Sequence, residues 1–417
     1  MSLNDTHDEP IPSTSADSND VDMMPQDDQD SAIQARIDFA MQLIQACLDA
    51  NMDKVQVLVE EVGAHCWIQD QQGWTSLHAA AYTGNTELVK YLLRTGNAAW
   101  QITDNLGFTA GDIAYSMNEA ETYDFLLQEG IRAELLRSAI ESNQSPRDHI
   151  DKHDDDNNDN NDMTDLQQVT APQKTTATDN ETFLHSKLKF VKDQSGQEVA
   201  IDEQGVGVMM GWERPIMQQT ADLLCQSHAS RKGKNRAQLD EHEFNVINVG
   251  FGLGIIDECL QTYNPTTHLI IEPHPDVLKY AESKGFMSKP GIKFFKGTWQ
   301  QYLEALEKGD EHYIQFDVIY FDTYSEHYKD LHQFFDSLPN LLRDETSLFS
   351  FFHGLGARSR HLYDIYTTVS EIHLKETGLS TEWSQVEIGQ IEWQAAPEKY
   401  WQSIVGPYRL PLSKLDF

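Results

Sequence analysis

Positive charge is scarce in this chain of 417 residues: 31 Lys and Arg stand against 67 Asp and Glu, a formal net charge of −36. Phosphate backbones are held by Lys and Arg, so the balance excludes a nucleic-acid-binding surface and favours a basic protein or a cationic group as partner. Acidic tails that keep the chain soluble explain the same balance. Cysteine is also scarce. Cys47, Cys66, Cys225 and Cys259 form no C-x-x-C pair, and none stands at zinc-ligand spacing with a histidine. Four scattered cysteines in so long a chain read as reduced and intracellular. No run of about 18 apolar residues is present, so no membrane span and no membrane partner are expected. The first thirty residues are acidic and polar, without the apolar stretch of a signal peptide. The cytosol, with access to the nucleus, is the expected location. The basic cluster Arg231-Lys232-Gly233-Lys234-Asn235-Arg236 is a weak nuclear signal, better read as a solvated loop before the first strand of a sheet.

The length implies two domains with linkers. Residues 1–31 are rich in Asp, Ser, Pro and Asn and are expected to be disordered. Residues 32–140 contain a repeat. Gly73-Trp74-Thr75-Ser76-Leu77-His78-Ala79-Ala80 is echoed 34 residues later by Gly107-Phe108-Thr109-Ala110-Gly111-Asp112-Ile113-Ala114. Lys54 to Val59, Leu88 to Leu93 and Thr122 to Leu127 repeat at the same step. The T-x-L-H-x-A start and V-x-x-L-L second helix are the ankyrin pattern, an all-α module. Its usual role is to bind protein; a module that packs on and shields the second domain is the alternative. The last copy has lost Leu-His to Gly111-Asp112, which suggests a terminal cap with a polar outer face. Residues 141–180 carry an Asp/Asn tract and a Thr- and Gln-rich stretch, read as a disordered acidic linker.

From residue 181 to 417 short strands alternate with helices. Val246–Val249, His268–Glu272, Ile292–Phe295 and Phe316–Phe321 read as buried strands. The alternation predicts an α/β fold with a parallel, doubly wound sheet. Extended runs around Trp383–Ile388 and Tyr400–Tyr408, joined by a short connection, predict an antiparallel pair at its edge. The first strand runs into Gly250-Phe251-Gly252-Leu253-Gly254, and a helix starts at Ile255. Such a turn lets a ligand approach the backbone, and the helix start suits a carboxylate or phosphate. Glu272 ends the next strand, about 18 residues after Gly254, where an acidic side chain can accept ribose hydroxyls. NAD satisfies the same logic. The G-x-G-x-G spacing and the acidic motif Phe321-Asp322-Thr323-Tyr324 favour S-adenosylmethionine instead.

Six blocks, in order and spacing, resemble guanidinoacetate N-methyltransferase: Val208–Met217, Asn248–Gly252, Ile270–Glu272, Lys296–Trp299, Tyr320–Tyr324 and His332–Phe334. With the ankyrin repeats and Phe351-Phe352-His353-Gly354-Leu355-Gly356-Ala357, nearly the whole ordered chain resembles the fungal arginine N5-methyltransferases. The resemblance implies a Rossmann-like class I S-adenosylmethionine-dependent methyltransferase domain behind the repeats. It implies that Met217 and the turn Gly250, Phe251, Gly252, Leu253, Gly254 and Ile255 hold the methionine part of the cofactor. Glu272 would hold the ribose, with Pro273 and His274 beside it, and Gly297, Thr298 and Trp299 would lie near the adenine. Glu213 and Asp322 would face the substrate guanidinium, Asp322 also bordering the cofactor. The resemblance makes Val208–Met217 the entry helix, and Phe190, upstream of it, would close over the cofactor. Two features depart from the pattern: Asn248 stands where related enzymes carry Asp or Glu, and His353–Ala357 replaces a polar loop that takes the small substrate's carboxylate. The second departure favours arginine within a protein, and the acidic balance favours a basic one, a ribosomal protein for instance. The implied reaction is methyl transfer to the internal δ-nitrogen of arginine. A small-molecule guanidino methyltransferase and an ankyrin adaptor with an inactive domain are the alternatives. His327, His332 and His353 fit no tetrahedral spacing, so no metal is expected.

Overall fold

The computed structural model describes residues 26–143, 175–193, 196–205, 207–239, 242–387 and 405–416. Most of the acidic tail and linker expected at 1–31 and 141–180 lies outside the described residues; residues 26–31 and 141–143, expected to be disordered, are helical. The N-terminal domain is built from α1 (Gln26–Leu48), α2 (Met52–Gln56) with a π-helical turn over Val57–Glu61, α3 (Ser76–Tyr82), α4 (Thr86–Arg94), α5 (Ala110–Ser116) and α6 (Ala120–Asn143). These are three ankyrin helix pairs. α1 packs on α3, α3 on α5 and α4 on α6, burying Leu43, Val55, Leu77, Leu88, Leu92 and Leu126 in one core. Thr75 and Thr109 cap α3 and α5, each in a reciprocal capping box with the residue three positions on. In the second repeat that residue is His78. Its Nδ1 accepts the Thr75 N–H at 3.2 Å, and its Nε2 donates to the Phe108 carbonyl at 3.1 Å, tying this repeat to the next.

In the third repeat the partner is Asp112, and the Gly111-Asp112 departure is not a polar outer cap. Both residues are buried, because the second domain occupies the place of a fourth repeat. The Asp112 carboxylate accepts the Thr109 N–H and Oγ1, both at 2.9 Å. It also accepts Ser359 Oγ at 2.5 Å and the His361 N–H at 3.0 Å, from the far side of the interface. A Cβ on Gly111 would lie 2.2 Å from the His361 ring. Ile131 on α6 and Ile365 share a buried cluster, and the Tyr123 hydroxyl donates to Asp364.

The second domain opens with α7 (Asn180–His185) and a three-stranded antiparallel sheet, β1 (Lys189–Lys192), β2 (Glu198–Ile201) and β3 (Gly207–Met210). Val208–Met217 is thus α-helical only over its last four residues. Residues up to Met210 form β3, Gly211–Glu213 is a 3₁₀ turn, and α8 (Arg214–Leu224) begins where Pro215 suits a first helical turn. The main sheet contains β4 (Asn245–Val249), β5 (Thr267–Ile271), β6 (Ile292–Phe295), β7 (Val318–Phe321), β8 (Leu348–Phe351), β9 (Leu379–Val386) and β10 (Tyr408–Leu415). Its order is β6-β5-β4-β7-β8-β10-β9, parallel except for β10. Helices α9 (Ile255–Gln261), α10 (Pro275–Ser283), α11 (Trp299–Lys308), α12 (Tyr328–Phe335), α13 (Leu338–Leu341) and α14 (Arg360–Glu376) complete the Rossmann-like α/β domain. Val246, Ile270 and Tyr320 point into one apolar cluster while Ile247, Leu269 and Ile319 point into the other. Side chains alternate across a strand, so covering both faces makes these strands continuous apolar runs.

An antiparallel pair does close the sheet edge, but its second strand is not the run expected at 400–408: only Tyr408, the last residue of that run, belongs to it, and the connection is long. β9 ends at Val386 and β10 starts at Tyr408, pairing Tyr408 with Val386 and Leu415 with Leu379. Of the run expected at 400–408, residues 400–404 lie outside the described residues. The basic cluster is not simply solvated. Arg231 is buried, donates to the carbonyls of His242 and Asn264 at 3.1 Å each, and lies over the Phe244 ring. Arg236 donates to the Pro265 carbonyl at 2.8 Å. These arginines clamp the loops around β4. Among the described residues no helix is long and apolar enough to cross a membrane.

Gly111 offers a test of the docking. Ala in a helix is intrinsically favoured over Gly by about 1 kcal/mol, but here the methyl would collide with His361. Gly111→Ala is expected to lower stability by about 1–3 kcal/mol, the usual overpacking range, read as a lower midpoint of chemical unfolding.

Candidate functional site

The strand order reverses between β4 and β7, and ligands of such sheets bind at the carboxyl ends of strands at that point. The Asp322 N–H donates to the Val249 carbonyl at 2.8 Å, so the two chain ends stay paired as they leave the sheet. Only glycine fits at 250. Its φ is 96°, and a Cβ there would lie 1.9 Å from the Asp322 carbonyl oxygen. The turn is braced by Asn248, whose Nδ2 donates to the Gly250 carbonyl at 2.8 Å and to the Asp257 carboxylate at 3.0 Å. This accounts for asparagine at 248. The carboxylate sits one turn into α9, and an Asp at 248 would set two buried carboxylates side by side.

Above this point lies a cavity of about 370 Å³. Of the residues expected at the site, Glu213, Met217, Gly250, Phe251, Gly252, Leu253, Ile255, Glu272, Pro273, Thr298, Trp299 and Asp322 all line it. Gly254, His274 and Gly297 stand just behind the lining. Gly254 permits the left-handed turn into α9 with φ 73°, and His274 caps α10. Phe190 is elsewhere: it stacks on Tyr280 with ring centroids 4.1 Å apart, on β1. The upstream aromatic at the cavity is Phe183 on α7, packed at 4.9 Å against both His274 and Tyr324. The sequence signal was Asp179 before a short polar-apolar turn; Asp179 caps α7 by accepting the Thr182 N–H at 2.9 Å. Asn180 donates to the Tyr324 carbonyl at 3.3 Å, and Thr176 to Asp202 at 2.6 Å, holding this segment across the opening.

Glu326 also escaped the sequence reading. It lines the cavity, accepts the Trp299 Nε1–H at 3.1 Å and the Thr323 hydroxyl at 2.6 Å, and so fixes the indole. Ser325, at φ 63°, also lines the cavity, and its buried Oγ has no protein partner among the described residues. Glu272 accepts the Phe251 N–H at 3.0 Å and the His274 N–H at 2.7 Å, one on each oxygen. The Gly252 N–H is a third donor to this carboxylate, which leaves one lone pair for a ligand hydroxyl. Burial pushes its pKa up to about 7 against those donors.

Burial likewise pushes Asp322 up to about 7, and burial together with the Asp322 charge raises Glu213 well above the usual carboxylate range. Four carboxylates, Glu213, Glu272, Asp322 and Glu326, line the cavity, with no Lys or Arg among the described lining residues. Such a cavity is built for cations, and a pyrophosphate would find no basic side chain in it. S-adenosylmethionine fits the residues present, with Glu272 offering a polar contact and the four carboxylates suiting its sulfonium charge.

Residues 43–136 match the ankyrin-repeat family in three copies, and residues 186–348 match the guanidinoacetate N-methyltransferase family. Protein arginine N-methyltransferase 2 of Cryptococcus neoformans is 33% identical over 393 residues, covering 91% of this chain and 96% of that protein. The chain belongs to the protein arginine N-methyltransferase 2 family. The protein arginine N-methyltransferase 2 of Aspergillus fumigatus is 32% identical over 351 residues, covering 79% of this chain and 77% of that one. That of Yarrowia lipolytica is 39% identical over 250 residues, covering 57% and 49%. The Cryptococcus match spans both halves of the chain, and most of the cavity lining falls within the residues matched to the guanidinoacetate N-methyltransferase family.

A cation held between Glu213 and Asp322 requires both to be ionised. Burial raises Asp322 to about 7, and burial with the Asp322 charge raises Glu213 well above the usual carboxylate range, so the pair still carries a proton above pH 7 and must release it on binding. Affinity for methylguanidine, measured by calorimetry, is therefore expected to rise at least about tenfold between pH 6 and pH 8 without levelling off there.

Proposed function

We propose that the protein transfers a methyl group from S-adenosylmethionine to the δ-nitrogen of an arginine in a protein substrate. The observation that carries this reading is the pair Glu213 and Asp322 in a cavity with no basic lining residue among those described. A guanidinium is planar with paired N–H donors, and two carboxylates grip it with charge-assisted bonds. S-adenosylmethionine supplies an electrophilic methyl on a sulfonium. With Glu213 and Asp322 on the terminal nitrogens, the internal nitrogen is left toward that methyl. Its lone pair is delocalised and weakly nucleophilic, so holding it in line provides proximity. As the nitrogen–carbon bond forms and the carbon–sulfur bond breaks, the nitrogen's proton passes to Asp322, whose raised pKa suits a general base near neutrality. Glu213 stays as the clamp, and Glu272 takes the ribose hydroxyls.

The loop Phe352–Gly356 contributes Phe352, Gly354 and Leu355 to the cavity wall and no charged side chain. Nothing there would hold a free amino acid's carboxylate, which favours a peptide-bound arginine over a small guanidino compound. The net charge of −36 favours a basic substrate.

The test is transfer of label from S-adenosylmethionine to a cell extract beside guanidinoacetate, with hydrolysis of the labelled protein. Label in δ-N-methylarginine is expected. Label only in a small guanidino compound would move the function to metabolism, and no label despite cofactor binding would make the protein an adaptor. Asp322→Asn should keep cofactor affinity and lose about 10²–10⁴-fold in turnover; full turnover would remove Asp322 from the reaction. Glu272→Ala should weaken S-adenosylhomocysteine binding by about 10–100-fold, the loss of hydrogen bonds to a charged acceptor.

A further inference from the structure

The loop between β8 and α14 forms one wall of the cavity through Phe352, Gly354 and Leu355. Its two ends are fixed by different domains. At the β8 end the His353 N–H donates to the Tyr408 hydroxyl at 2.8 Å. The His353 ring also bonds Thr367 Oγ1 through Nε2 at 2.8 Å. At the α14 end Ser359 is the helix N-cap, its Oγ accepting the Leu362 N–H at 3.1 Å. That hydroxyl hydrogen goes to Asp112 at 2.5 Å, and the next free amide of the helix, His361 N–H, goes to the other Asp112 oxygen at 3.0 Å. Asp112 therefore caps α14 in trans, from the ankyrin repeats. Thr109 Oγ1 gives its hydrogen to Asp112, so it accepts from His361 Nδ1 at 3.0 Å. Between the two anchors the chain turns tightly: Gly356 has φ 72°, and a Cβ there would meet the Leu362 backbone at 2.7 Å.

We propose that Asp112 is a positioning residue of the active site, setting the Gly354–Gly356 wall on the substrate side by capping α14 across the domain interface. The substrate side of this inference rests on the arginine reading given above. The Asp112 contacts lie on the α14 end of the loop, whereas Glu272 and the glycine turn are held by β4, β5 and α9. Loss of Asp112 would leave two buried donors, Ser359 O–H and His361 N–H, without their acceptor. The helix start would shift to find others, and the wall would loosen while the cofactor side stayed in place.

The experiment compares full-length wild type with Asp112→Asn, Ser359→Ala and the double variant. Asparagine keeps the shape and one acceptor oxygen, so folding is retained; the unfolding midpoint and the circular dichroism spectrum check this. Hydrogen exchange reads amides 354–359, and calorimetry reads affinity for the peptide Gly-Arg-Gly and, separately, for S-adenosylhomocysteine. Expected are tenfold or faster exchange in 354–359 with β4 protection unchanged, weaker Gly-Arg-Gly binding by fivefold or more, and unaltered S-adenosylhomocysteine binding. The double variant should be no worse than either single one. Unchanged exchange in 354–359, equal weakening of both ligands, or strictly additive single effects would each overturn the proposal. If wild type does not bind Gly-Arg-Gly, the arginine reading fails, and the exchange comparison still decides whether Asp112 holds the loop.

Discussion

The close approach of β4 to β7 is the constraint on which the site depends. Val249 and Asp322 remain hydrogen-bonded as their strands end, and Gly250 lets the two backbones touch. That contact sets the Asp322 carboxylate at the mouth of the glycine turn rather than out in solvent. Glu272, on the other side of β4, is held by amides from the turn itself. Glu272 and Asp322 are thus braced by one stretch of backbone. Their raised pKa values are the electrostatic consequence. Charge has been collected in a low-dielectric cavity and left for cations to neutralise.

The central strands were legible because burial on both faces writes them as unbroken apolar runs. The glycine turn and Glu272 were legible because only certain residue types serve there. Phe190 misled because the sequence shows an aromatic upstream of the site but not which way it faces. In the structure Tyr280 takes its ring, and Phe183, seven residues earlier, reaches the cavity. The Val208–Met217 block was read as a helix from a family likeness, yet β3 needs Val208–Met210 to complete a small sheet. Glu326 could not be found by spacing, since its significance lies in a bond to Trp299 from another loop.

The third repeat was misread for an instructive reason. A departure from a repeat consensus looks the same whether it faces water or a partner, and Gly111-Asp112 was taken for the first. Only the position of His361 distinguishes them. The exchange of His78 for Asp112 at equivalent positions follows from what lies beyond. His78 has a carbonyl ahead of it and donates; Asp112 has a helix N-terminus ahead of it and accepts. The alternative in which the repeats pack on the catalytic domain is realised by the third of them. The faces it leaves uncovered remain consistent with protein binding.

The same interface bears on how the chain folds as it is made. Asp112 and Ser359 are 247 residues apart in sequence. At a synthesis rate of roughly 5–20 residues per second, the repeats emerge on the order of 10–50 seconds before their last face can be covered. During that interval Gly111, Tyr123 and Ile131 form an open apolar ledge on an otherwise finished domain. The nascent protein therefore carries a transient sticky end that only its own C-terminal half can close.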